Sequence, residues 1–231
     1  MREDDVGPER RRMTSQAALF VAVLLVLPGV YDAGARNPYE ALGLANRPRT
    51  QLPAIRSTEE GFSYLDTDGP VVGDGQQRTY RLEVEPATGV NPRVFTHIAD
   101  TIITDERGWT GAGKWALQRV AADDADIRVL LATPRTVDRL CAKAGLDTHG
   151  EVSCWNGRFA ALNAKRWASG ADGFVGSLRS YREYLVNHEV GHGLGYGHEA
   201  CPRRGARAPV MQQQTYATKP CKGNGWPVLD P

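Results

Sequence analysis

Eleven residues, His188 to His198, constrain the fold of this chain more than any other stretch, reading His-Glu-Val-Gly-His-Gly-Leu-Gly-Tyr-Gly-His. On a helix, His188 and His192 differ by roughly 40° in direction and about one turn in height, so both imidazoles can converge on one ion. If the helix simply continued, His198 would point about 120° away from His192 and lie roughly 9 Å further along the axis. The helix must therefore stop between them. Gly195 lies at that place, and glycine takes the left-handed conformation that ends a helix without a Cβ clash. Three protein ligands leave the fourth position of a tetrahedral Zn²⁺ open, which is the arrangement of a catalytic site; structural zinc sites are usually closed and rich in cysteine. Glu189, beside the first ligand, is then placed to act as general base on a water and to hand the proton to a leaving amine.

The glycines within the motif carry a second message. Gly191, Gly193 and Gly195 cost an isolated helix about 2–3 kcal/mol relative to alanine, so close packing and a bound metal are expected to hold it. Three of the chain's five histidines fall in this stretch. His97 and His149 have no partner at ligand spacing and read as surface or helix-packing residues.

The stretch matches the H-E-x-x-H-x-x-G-x-x-H signature and so resembles the metzincin metallopeptidases. That resemblance implies a methionine turn beneath the metal. Ala208-Pro209-Val210-Met211-Gln212 supplies it, with Met211 thirteen residues past His198; a methionine there would also serve as ordinary core filling. Glu199 follows the third histidine, as an acidic residue does in the astacin group, where it meets the mature amino terminus. Astacins place an oxyanion-stabilising tyrosine two residues after the methionine. Here Gln213 stands at that offset and Tyr216 lies three residues further on, so Tyr216 is a candidate for the oxyanion role only beside its reading as an ordinary packed tyrosine. The segment 78–226 also resembles a bacterial secreted domain family of unknown function, several members of which carry this signature.

With 41% hydrophobic and 24% charged residues, the chain has the composition of a globular protein, and a formal net charge of +1 offers no field for capturing nucleic acid. Arg10-Arg11-Arg12, the apolar run 17–27 and Ala33-Gly34-Ala35 follow one another in the order of a secretory signal. Residues 1–35 are expected to be a signal peptide cleaved after Ala35 or an amino-terminal membrane anchor, although the run is short of the roughly 20 residues that span a bilayer. Met13 is an alternative start that would discard the arginines. Residues 36–77, rich in proline, glycine and arginine and without apolar period, read as a flexible linker, and Gly73-Asp74-Gly75 within it as a turn.

The metallopeptidase domain is then expected over 78–231. Alternating residues 79–85 predict a strand, and Asn91-Pro92 opens a helix carrying Phe95, Ile98, Ala99, Ile102 and Ile103 on one face. Strands follow at 115–121 and 127–132, then a helix from Thr133-Pro134 to about Ala144. Two more strands, 151–155 and 158–162, flank the hairpin signal Asn156-Gly157, and the metal helix spans 181–194. This order predicts a small α+β domain. The resemblance implies that it is a metzincin-like zincin domain, with a mixed twisted sheet, a backing helix, the active-site helix and an irregular carboxyl-terminal subdomain with the methionine turn. The resemblance further implies that an antiparallel edge strand, here near Glu151 to Trp155, lines the cleft and pairs with extended peptide, with Trp155 either a wall or a core aromatic.

Cys141, Cys154, Cys201 and Cys221 in an exported chain predict two disulfides. Of the three connectivities, Cys141–Cys154 with Cys201–Cys221 is preferred, because the second bridge encloses the Met211 turn. The sequence thus predicts a secreted or membrane-tethered monomeric endopeptidase holding Zn²⁺ through His188, His192 and His198, with Glu189 as catalytic base and an extended peptide as substrate. Two alternatives stay open: a catalytically silent zinc-stabilised surface module, and a zinc hydrolase of a non-peptide amide such as a wall component.

Overall fold

Along the strand Gln76–Val84 (β4), Tyr80, Leu82 and Val84 alternate with Arg81 and Glu83, and all five are buried. Both faces of the sheet are therefore covered at this strand, one by apolar and one by charged packing. The computed structural model describes residues 52–228. Among them are eight strands in one mixed sheet and four α-helices, an α+β arrangement. β4 runs parallel to Trp115–Arg119 (β5) and to Ile127–Ala132 (β6). β6 in turn runs parallel to Phe159–Asn163 (β8), and Cys154–Trp155 (β7) closes that edge in antiparallel pairing. The β7–β8 hairpin turns at Asn156-Gly157 as expected, with Asn156 Oδ1 accepting from the amides of Arg158 and Phe159.

The helices start where the caps direct. Asn91 accepts from the Arg93 amide at the head of Pro92–Ile103 (α1), and Thr133 from the Thr136 amide at the head of Pro134–Ala142 (α2). Ser177 caps Leu178–Gly193 (α4), which begins three residues before the expected 181. A short helix, Ala164–Ser169 (α3), was not anticipated; Asn163 at the end of β8 caps it. Along β6, Ile127, Val129 and Leu131 join the core formed with α1 and α4, whereas Leu130 and Ala132 join a second core with Val137, Leu140 and Phe159. Period-2 alternation thus puts α1 and α4 on one face and α2 on the other.

The stretch expected to be linker is corrected in its described part. Ile55–Ser57 (β1), Ser63–Leu65 (β2), Val71–Val72 (β3) and the start of β4 all fall within 52–77. Strands of two or three residues carry no readable period, and their partners are distant in sequence: β2 joins β4, and β3 joins β5. The segment also seals the second face. Arg128, itself buried, reaches Glu83 at 2.6 and 2.8 Å and Glu60 at 2.9 Å, while Arg81 binds Glu83 at 2.7 Å and also Asp123. Each buried guanidinium is thus paired, as its desolvation requires, and Arg128 holds the Glu60 carboxyl down to about 2. The expectations for residues 1–35, and for 36–51 of the linker, lie outside the described residues. The expected strand 151–155 is shortened to Cys154–Trp155, because the Glu151 amide is spent on a turn to Thr148 O.

Candidate metal centre and cleft

Helix α4 presents buried His188 and Glu189 and half-buried His192 and ends within the motif. The Leu194 amide still bonds to the Val190 and Gly191 carbonyls; then Gly195 takes φ +93° and the Tyr196 amide folds back onto Gly191 O at 2.9 Å. That turn brings His198 to the other two histidines. The three ligand nitrogens lie within 4.8 Å of one another, and Nε2 of His192 stands 3.1 Å from Nε2 of His198.

Backbone carbonyls orient two of the rings. His188 Nδ1 donates to Val210 O and His192 Nδ1 to Tyr196 O, both at 2.8 Å. With the proton fixed on Nδ1, the Nε2 lone pairs of both rings face the shared space, the tautomer a metal ligand needs. Burial pushes His188 down to about 3, helped by the neighbouring histidines and opposed by the Val210 carbonyl. His192 and His198 are lowered for the same reason. The triad is thus neutral at pH 7 and able to hold a metal ion. Burial raises the Glu189 carboxyl to about 8, and its Oε2 has no hydrogen-bond partner among the described residues; a cation held by the adjacent histidines would favour the ionised form that a base requires. An unpartnered buried carboxyl oxygen beside three converging lone pairs fits a site built for a cation.

The floor is packed from below. Met211 is fully buried, and a Cβ on Gly191 would stand 2.5 Å from its Sδ and 2.6 Å from Trp109 Cζ2. Only glycine permits that approach. Trp109 also donates from Nε1 to Asn187 O at 2.9 Å and stacks on Tyr196 at 4.4 Å, so one side chain touches the helix before His188 and the turn after His192. Trp115 adds a bond from Nε1 to the Tyr196 hydroxyl at 3.2 Å. Both Val210 and Met211 carbonyls serve the motif, the second by accepting from the Glu199 amide at 3.1 Å. The bridges Cys141–Cys154 and Cys201–Cys221 are formed, and the latter encloses this floor. Gly191→Ala gains about 1 kcal/mol of helix propensity, but with two clashes it overpacks the floor by about 2–3 kcal/mol, the upper part of the usual range. We expect a net loss of about 1–2 kcal/mol in urea unfolding; an unchanged or raised midpoint would mean that Met211 and Trp109 yield.

Above the triad opens a cleft of about 300 Å³. One wall comes from residues 146–148 and 152–155, including edge strand β7; another comes from Gln213, Thr215 and Tyr216. Trp155 does both things expected of it, lining the cleft and packing against the core. Tyr216 is not packed as an ordinary tyrosine: it is 61% exposed at the cleft. Tyr184, whose ring lies 5.1 Å from His188, and Thr215 were missed. Tyr184 stands four residues before His188, and that spacing alone places it on the ligand face of the helix. Trp109 has no comparable signal. His97 on α1 and His149 are both exposed, and neither joins the triad.

No curated protein and no solved structure matches the chain. One family model does, over residues 50–225, so it begins at the short strands rather than at residue 78. By this match the chain belongs to the family described as a protein of unknown function, DUF3152.

Proposed function

We propose that the chain is a zinc-dependent endopeptidase of metzincin type. The observation that carries this reading is the convergence of three neutral histidines beside the buried, unpartnered Glu189 at the floor of an open cleft. Zn²⁺, when bound, supplies a Lewis acid that acidifies water and polarises a carbonyl. His188, His192 and His198 hold it, with the first two locked by the Val210 and Tyr196 carbonyls. Glu189 takes the proton from water on Oε2 and delivers it to the leaving amine. β7, at the sheet edge, leaves one side of its backbone free to pair with an extended peptide. Tyr216, at the mouth, is available to the oxyanion.

The two disulfides accord with an extracytoplasmic location. Among the described residues no helix is long and apolar enough to cross a membrane, so a tether belongs to the proposal through residues 1–35 alone. The test incubates the purified full chain, after metal analysis, with a peptide library and with wall fragments, with and without chelator. We expect one zinc per chain and chelator-sensitive peptide cleavage. Cleavage of wall fragments alone would move the reading to a non-peptide amide, and bound zinc without either activity would make the domain a silent binding module.

A further inference from the structure

We infer that the cleft selects peptides presenting a bulky apolar side chain next to a cationic one, and that Asp147 reads the charge. This rests on the peptidase reading and names its substrate class. Five large hydrophobic residues are exposed among the described residues, and two of them, Leu146 at 43% and Tyr216 at 61%, stand at this one cleft. They come from separate segments, the loop between α2 and β7 and the tail beyond Met211. Half-buried Trp155 lines the same space. Apolar surface brought together at a cleft by two distant segments favours an apolar side chain placed between them.

The charge around that surface is one-sided. Among the described residues no lysine or arginine lines the cleft, and the acidic side chains that line it are Asp147 and Glu189. Glu189 is buried at the floor, while the Asp147 side chain is 73% exposed. The loop that carries Asp147 is fixed. Asp147 Oδ1 accepts from the His149 amide at 3.0 Å and faces His149 Nδ1 at 3.1 Å, contacts that among the described residues leave Oδ2 unused. Thr148 and Gly150 are tied to Asp138, the first through its hydroxyl and the second through its amide at 2.8 Å. Behind them, Cys141–Cys154 joins α2 to β7. Glu151, also on this loop, differs because it is already paired with Lys165 and Arg166 and does not line the cleft. Asp147 is thus a carboxylate held in place at the cleft, where a lysine or arginine of a bound peptide is attracted and a glutamate repelled.

The test uses the zinc-loaded full chain and fluorogenic peptides with a central phenylalanine or alanine, each flanked at successive positions by lysine, glutamine or glutamate. Exposed charge pairs are worth about 1.4- to 5-fold each, so at the responsive position kcat/KM should favour lysine over glutamate by roughly 2- to 25-fold at low ionic strength, and less at high salt. Asp147→Asn should bring that ratio close to one, and Asp147→Lys should invert it. Leu146→Ala and Tyr216→Ala should each lower the preference for phenylalanine over alanine. A lysine-to-glutamate ratio that is the same in wild type, Asp147→Asn and Asp147→Lys would overturn the charge assignment while leaving the peptidase reading intact. Failure of the wild type to cleave any of the peptides while holding zinc would overturn the peptidase reading, and this inference with it.

Discussion

Glu189→Gln is expected to bind one zinc per chain as the wild type does and to hydrolyse peptides about 10²- to 10⁴-fold more slowly, the usual contribution of a general acid or base. Glutamine fills the same buried volume, and none of the contacts that orient the histidines involves residue 189. What it lacks is an oxygen that can take a proton. The separation of effects is the informative part. Replacing His188, His192 or His198 by alanine removes a ligand and should weaken zinc binding itself, whereas Glu189→Gln should leave binding and the near-ultraviolet circular dichroism unchanged. Retention of more than a tenth of wild-type turnover in Glu189→Gln would remove the residue from the proton path.

The second large effect concerns the floor. Opening the bridge in the Cys201→Ser, Cys221→Ser double variant releases a loop of sequence separation 20, for which chain entropy alone predicts a destabilisation of about 3 kcal/mol. The enclosed segment also contains the Val210 carbonyl that fixes the His188 tautomer, Met211 beneath Gly191, and the carbonyl that holds Glu199. Loosening it should therefore lower zinc affinity as well as stability, by roughly 10- to 100-fold as for other groups that orient metal ligands. Urea unfolding of the metal-free protein and a zinc competition titration separate the two. A lower unfolding midpoint with unchanged zinc affinity would show that the ligands keep their geometry without the bridge.

The parts of this fold that local chemistry determines were legible in the sequence. Asn91-Pro92 and Thr133-Pro134 start helices because the caps and prolines there act within one turn, and Asn156-Gly157 makes its hairpin for an equally local reason. The metal triad was legible because helix pitch and the Gly195 turn set its geometry. What escaped depends on distant partners. β1, β2 and β3 are too short to show a period and exist through pairing with residues elsewhere. Buried Arg81, Glu83 and Arg128 stand at the polar positions of alternating strands; Glu83 pairs with both arginines, and Glu60 and Asp123, approaching from loops, supply the remaining charge that makes their burial tolerable. Trp109 supports the site through a contact 78 residues away, which no spacing rule reports.

The order of strands across the sheet also decides how the molecule would work if its amino terminus were fixed to a surface. Along the main path of the sheet β1 forms one margin and β7 the other, with β2, β4, β6 and β8 between them, while β5 and β3 branch from β4. At about 4.8 Å per strand, five steps separate the margins by roughly 24 Å. Anything that grips the chain ahead of residue 52 therefore pulls on the margin remote from the cleft above the histidine triad. Held that way, the domain would work at arm's length, its cleft reaching outward to polypeptides in the surroundings instead of facing the support that carries it.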